Sequence, residues 1–327
     1  MSESPTPPPS WSITSMANNA VQFLRLPVLA SSGLAVVASG LLYFKQKFVL
    51  PNNAEFQHRR RELIYPRNIP ADARTNVPKP RQFGITDYEE LQIPTPDGES
   101  LHGFYLRPST KRLDQDVTVL MFHGNAGNIG HRVPIAKVLQ DHLGCHVLML
   151  EYRGYGLSTG VPDETGLKVD AQTALDYIRQ RAETAKSKIV VYGQSLGGAV
   201  AINLVATNED RGDIAGLILE NTFLSIRKLI PSVFPPARYL ARFCHQTWTS
   251  EDVLPKITKV PILFLSGLKD EIVPPSHMMQ LFTICNSSRK AWRTLPNGAH
   301  NDSVAEPGYF EHIHSFVMEE VLKGNDR

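Results

Sequence analysis

The sequence predicts an α/β fold: a mainly parallel sheet with helices on both faces. Three observations carry this. Short runs rich in leucine and β-branched residues alternate with stretches whose apolar residues return every three or four positions. The short runs are apolar throughout instead of alternating with polar residues, which is how strands buried on both faces read. Finally, the segment Lys188 to Ala206, KIVVYGQSLGGAVAINLVA, passes from an apolar run through a serine between glycines into a small-residue helix pattern.

Taken in order, residues 1–27 form a polar, Pro-rich tail, and residues 28–44 (VLASSGLAVVASGLLYF) run without a charge between Arg25 and Lys45. As a helix this run is about 26 Å long, near the thickness of the endoplasmic-reticulum bilayer, so a single membrane span is expected there. A cleaved signal peptide fits less well because the apolar stretch begins late. Arg25 lies in front of it, whereas Lys45, Lys47 and Arg59 to Arg61 follow, which places the C-terminal part in the cytosol by the positive-inside count. Residues 45–83 read as a connector, 84–323 as the main domain and 324–327 as a C-terminal tail.

Within the domain, Glu89 to Ile93 and Leu101 to Leu106 flank the turn Pro96 to Gly98 and predict an antiparallel hairpin. Strands follow at Val117 to Phe122, Cys145 to Tyr152, Lys188 to Tyr192, Ile214 to Glu220, Val260 to Leu265 and Ala291 to Leu295. Helices are expected at Arg132 to His142, Gly166 to Ala182, Leu196 to Thr207, Ser276 to Cys285 and Tyr309 to Lys323. Residues 222–259 are too long for a plain loop and mix apolar with basic side chains, so a small helical cap is expected there.

Composition narrows the function. The chain has 327 residues, 42% hydrophobic and 20% charged, with a net charge of +2. No dense Lys/Arg patch interleaved with aromatics occurs, which excludes a nucleic-acid role. Cys145, Cys244 and Cys285 are odd in number and widely spaced, giving neither a disulfide framework nor a zinc site and reading instead as buried small apolar residues. No metal-binding pattern and no cofactor motif is found. Gly124, Gly127 and Gly130 do not space as G-x-G-x-x-G, so dinucleotide binding is rejected.

Chemistry is then left to side chains. Ser195 at the apex of a strand-to-helix turn is the expected nucleophile, with Gly193 and Gly197 removing side chains that would collide across the turn. A second G-x-S-x-G match, at Gly156, Ser158 and Gly160, leads into Val161 and Pro162 instead of a helix and lacks that context. A serine hydroxyl needs a base and an acid that fixes the base's tautomer. His300 and Asp270 both follow apolar runs, where catalytic groups of such sheets gather, and the order Ser, Asp, His is that of α/β-hydrolases. Glu271 and Asp302 are the competing acids. The oxyanion donors are expected to be the backbone N–H groups of Leu196 and, in the loop after Val117 to Phe122, Asn125. His123 is expected to make a structural hydrogen bond.

The blocks FHGNAGNIGHR, EYRGYGLSTG, YGQSLGGAVAI, LENTFLSI, LSGLKDEIVPP and PNGAHND together resemble the membrane-anchored α/β-hydrolases of the fungal Bem (bud-emergence) type and their animal abhydrolase-domain relatives. The resemblance implies an α/β-hydrolase fold, a compact cap and a triad at Ser195, Asp270 and His300. It further implies cleavage of acyl esters or thioesters of lipids or proteins. The partners to expect are a lipid bilayer and an acylated protein or lipid substrate. The alternative is a non-catalytic scaffold in cell polarity or membrane organisation.

Overall fold

The computed structural model describes residues 64–108, 116–233, 235–239 and 241–323. The expected span at 28–44, the tail before it, most of the connector and the C-terminal tail lie outside the described residues. Among the described residues no helix is long and apolar enough to cross a membrane.

Eight strands form one sheet: β1 (Tyr88–Pro94), β2 (Ser100–Leu106), β3 (Val117–Phe122), β4 (His146–Leu150), β5 (Lys188–Gln194), β6 (Ile214–Glu220), β7 (Ile262–Gly267) and β8 (Lys290–Leu295). Their order is β1-β2-β4-β3-β5-β6-β7-β8. The hairpin β1–β2 is antiparallel, with Glu90 opposite Phe104, and β2 also meets β4 antiparallel. All pairings from β4 to β8 are parallel.

Alternate residues of the central strands feed two separate cores, as the two-residue period of a strand requires. Val191 of β5 and Leu120 of β3 pack on one face with the helices α2 (Glu164–Gln180) and α3 (Leu196–Asn208). Val190 and Met121 pack on the other with α1 (Val133–Leu143) and the last helices of the chain. The three cysteines are buried, the role of small apolar side chains.

Most boundaries shift by one or two residues from expectation, β4 ending at Leu150 instead of Tyr152 and β7 at Gly267 instead of Leu265, and three differences stand out. β5 runs two residues further, to Gln194, because its backbone stays in register with β6 up to Glu220. The helix expected over Tyr309 to Lys323 is α-helical only over Tyr309–Phe316 and continues as a π-helical stretch, Val317–Leu322. Residues 64–83, the end of the segment read as a connector, are part of the domain: Tyr65 and Val77 are buried in the two cores. Their polar, proline-containing neighbourhood conceals this, since isolated aromatic and aliphatic anchors give no periodicity.

The segment expected as a cap contains the helix α4 (Ile226–Val233), 3-10 turns at Pro235–Tyr239 and Ala241–Phe243, and a short helix at Ser250–Val253. Its base is pinned by Trp248, fully buried, whose indole N–H donates to the Tyr65 hydroxyl at 2.9 Å.

Candidate active site

The carboxyl ends of β3, β5, β6, β7 and β8 lie side by side, so the loops leaving them converge. Ser195 sits between β5 and α3 with φ 54° and ψ −117°, a region costly for a residue with a side chain. Glycines make the turn possible. A Cβ on Gly193 would lie 2.2 Å from the carbonyl oxygen of Gly197, and one on Gly197 would lie 2.2 Å from that of Phe122 at the end of β3. The conformation is held by the Ser195 N–H donating to Glu220 O at 2.9 Å and by the Thr222 hydroxyl donating to Ser195 O at 2.7 Å. Because backbone blocks the added methyl, Gly197→Ala is expected to lower stability by about 3 kcal/mol, read from the urea midpoint.

The structure brings Ser195, His300 and Asp270 together. His300 Nε2 lies 3.0 Å from Ser195 Oγ, and its Nδ1 lies 2.8 Å from Asp270 Oδ2. All three residues are less than 10% exposed, so water does not screen the pair. The other Asp270 oxygen accepts the N–H groups of Ile272 at 2.9 Å and Val273 at 2.7 Å, which fixes the carboxylate's rotation. The competing acids instead hold the backbone of the His300 loop: Glu271 accepts the His300 N–H at 3.1 Å and Asp302 accepts that of Ala299 at 2.8 Å. Burial alone depresses an imidazole's affinity for a proton; here the negative charges of Asp270, Glu271 and Glu220 outweigh it, and His300 titrates above the ordinary imidazole value. An imidazole so placed can take a proton from the hydroxyl and hold the resulting charge against a carboxylate.

The loop after β3 passes beside the nucleophile: a Cβ on Gly124 would sit 3.6 Å from the Ser195 Cβ. The Asn125 side chain is committed away from catalysis, donating to Ile64 O at 2.5 Å and accepting from the Tyr155 hydroxyl at 2.8 Å. Leu196 is the first residue of α3, so its N–H belongs to the turn that has no carbonyl partner within the helix. His123 is buried, with Nδ1 2.7 Å from Gly124 O. Its Nε2 lies 3.0 Å from Glu151 Oε1, at ion-pair distance but without hydrogen-bond alignment. Ser158 is fully occupied in structure, donating to Glu151 O at 2.8 Å and accepting from the His102 N–H at 2.9 Å. His277 accepts the Leu224 N–H at 3.2 Å beneath the cap, and His245 is exposed.

Sequence reasoning assigned nothing to a polar layer beneath the site. Glu220, at the end of β6 and 1% exposed, accepts hydrogen bonds from Tyr192 and, at 2.5 Å, from Tyr309. Gln194 reaches its other oxygen at 3.3 Å. Burial raises the Glu220 carboxyl above its usual range despite these donors. Asn221, at φ 45°, accepts the Gly267 N–H at 2.8 Å and donates to Ser303 Oγ at 2.9 Å, tying β6, β7 and the His300 loop together. The signal was the run Glu-Asn-Thr directly after an apolar strand, where polar residues must find buried partners. Glu220→Ala is expected to cost about 3 kcal/mol by emptying a buried site and leaving the Tyr192 and Tyr309 hydroxyls only each other, at 3.0 Å, as partners, measurable as a lower melting temperature.

Residues 114–257 match the family described as serine aminopeptidase, S33. The chain is 44% identical over 306 residues to protein bem46 of Schizosaccharomyces pombe, covering 93% of this chain and 96% of that one. It is 41% identical over 267 residues to the uncharacterized membrane protein YNL320W of Saccharomyces cerevisiae, covering 81% and 91%. Among solved structures it resembles an alpha-beta hydrolase from Vibrio vulnificus with a TM-score of 0.66 at 19% identity, over 81% of this chain and 95% of that one, a likeness of fold.

Proposed function

The chain belongs to the α/β-hydrolase family of the bem46 type, and from that membership we propose that it is a membrane-tethered serine hydrolase acting on acyl esters or thioesters of lipids or acylated proteins. The observation that carries this reading is the buried relay in which one imidazole lies 3.0 Å from Ser195 Oγ and 2.8 Å from Asp270 Oδ2.

Ser195 Oγ attacks the carbonyl carbon while His300 Nε2 takes the hydroxyl proton, and Asp270 keeps the other ring nitrogen protonated. Negative charge on the carbonyl oxygen is met by the N–H groups of Leu196 and Asn125, each such donor contributing about 3 kcal/mol of transition-state stabilisation. His300 then protonates the departing alcohol or thiol, leaving an acyl-serine. Water, deprotonated by the same ring, releases the acid and regenerates Ser195. Leu229 and Ile230 on the cap, half-buried against the core, favour an apolar chain on the substrate.

The uncharged run at 28–44 supports a single span suited to the endoplasmic reticulum with the hydrolase on the cytosolic side, and a relative named as a membrane protein supports the tether. Fluorophosphonate labelling tests the nucleophile: the wild-type chain is expected to label and Ser195→Ala to stay unlabelled, whereas equal labelling refutes the mechanism. Paired oxygen and sulfur esters of graded chain length then read the substrate, with kcat/KM expected to rise from short to long chains.

A further inference from the structure

We propose that the exposed face of the cap, carrying Arg227, Lys228, Arg238, Tyr239 and Arg242, is a docking surface for an anionic lipid bilayer. This rests on the membrane-tethered reading above and adds a second membrane contact, one that orients the hydrolase.

The first support is charge. Residues 222–250 contain those four cations and no Asp or Glu, in a chain whose 34 Lys and Arg as a whole are nearly balanced by 32 Asp and Glu. Arg227 is satisfied by a neutral acceptor, the Cys244 carbonyl at 3.1 and 2.9 Å, so its charge is not cancelled. Lys228 pairs with Glu251 at the edge of the strip. The guanidinium of Arg238 lies 4.5 Å over the ring of Tyr239, which is itself 68% exposed. Pro235 and Pro236 beside them are also exposed. A surface mixing cations with an exposed tyrosine and prolines suits the headgroup region, where aromatic rings and basic side chains both settle.

The second support is where the chain outside the described residues comes in. Ile64 O accepts the Asn125 side chain at 2.5 Å, in the loop beside the nucleophile. The Tyr65 hydroxyl donates to Gln246 at 2.8 Å and accepts the Trp248 indole N–H at 2.9 Å, at the base of the cap. The residues arriving from the expected span therefore join the domain at the cap. Residues 45–63 reach at most about 65 Å even if fully extended, so the expected span holds the domain within that distance of the lipid and leaves the choice of face to the strip itself.

These observations favour a bilayer over the other occupants. A second copy would set like charge against like charge. The cap opens at Thr222, whose hydroxyl holds the Ser195 carbonyl at 2.7 Å, so docking it sets the nucleophile's side of the domain against the lipid surface. Each basic residue at an anionic surface strengthens the contact about fivefold, and the effect fades as salt shortens the Debye length.

The test uses the full chain reconstituted in phosphatidylcholine vesicles with and without phosphatidylserine, read by amide hydrogen exchange over residues 226–243. Exchange is expected to slow about fivefold or more when phosphatidylserine is present, and to recover in high salt. The double variant Arg238→Glu, Tyr239→Ser is expected to abolish the protection, with unchanged exchange in β5 and β6 reporting an intact domain. Should that variant unfold, the salt dependence of the wild-type chain decides alone. Equal exchange in both lipids overturns the proposal, as does protection that survives high salt. Protection that vanishes when the chain is diluted among more vesicles of the same composition assigns the strip to a second copy and also overturns it. Fluorophosphonate labelling is read separately, so a chain that labels but shows no protection loses only this proposal, and a protected cap without labelling loses only the catalytic one.

Discussion

Ser195→Ala is expected to lower kcat/KM toward any acyl ester the wild-type chain hydrolyses by about 10^5- to 10^6-fold, the largest effect of any single change. In the proposed mechanism the variant removes the protein atom that bonds to the acyl carbon. What survives is substrate binding and the oxyanion donors, worth a residual acceleration of about 10^3-fold over water. The backbone of the turn is held by contacts the serine side chain does not make: the Ser195 N–H to Glu220 O and the Ser195 carbonyl from Thr222. The loss therefore falls on kcat with little change in folding stability. His300→Ala is expected to cost nearly as much, and the double variant no more than either alone, because nucleophile and base act as one unit. Multiplicative losses in a steady-state assay with purified variants would show that the two residues do not share a step.

Asp270→Asn is expected to lower kcat by about 10^4-fold and to change its pH dependence. In the wild-type chain one carboxylate oxygen accepts the N–H groups of Ile272 and Val273 while the other faces His300 Nδ1. An asparagine oxygen that keeps the two backbone donors turns its amide nitrogen toward the ring. Nδ1 must then be the acceptor, which leaves the ring proton on Nε2, pointing at Ser195 Oγ, where it cannot take the hydroxyl's proton. The sign of the pH effect follows from the same contact. The base works when neutral, so wild-type activity is expected to fall as pH drops through the His300 value, which lies above the ordinary imidazole pKa of about 6.5. Burial opposes the charged ring and Asp270 is the largest force favouring it, so without that carboxylate the midpoint moves to lower pH. A kcat–pH profile that keeps its midpoint in the variant, or a rate within tenfold of wild type, would remove Asp270 from this role.

Local chemistry made much of the fold and of the candidate site readable. Runs such as Ile214 to Glu220 read as strands because residues buried on both faces leave no polar position, and the structure has a strand over that whole run. Glycines at 193 and 197 are legible because a turn that tight admits no Cβ: one placed at either position would lie 2.2 Å from a backbone oxygen. The acid was chosen by its place after a strand end, and Asp270, rather than Glu271 or Asp302, is the carboxylate that meets the imidazole. Less was legible where a residue's partner is remote. Tyr65 meets Gln246 and Trp248 across more than 180 positions, and no local pattern announces such a contact. The same holds for Glu220, whose partners Tyr192 and Tyr309 come from different elements.

Neighbours a few residues apart are enough to set the alternation of strands and helices and to mark the serine on its glycine-flanked turn, and the linear order of serine, acid and base is read directly along the chain. That a hydroxyl, an imidazole and a carboxylate from positions 195, 300 and 270 share one buried line of contacts emerges only once the chain is folded. So does the weaving of a segment resembling a linker between the cap and the loop beside the nucleophile. Such contacts require the sheet to close first: parallel pairing brings strand ends together whatever their separation along the chain, and burial then makes every unpaired polar atom there costly.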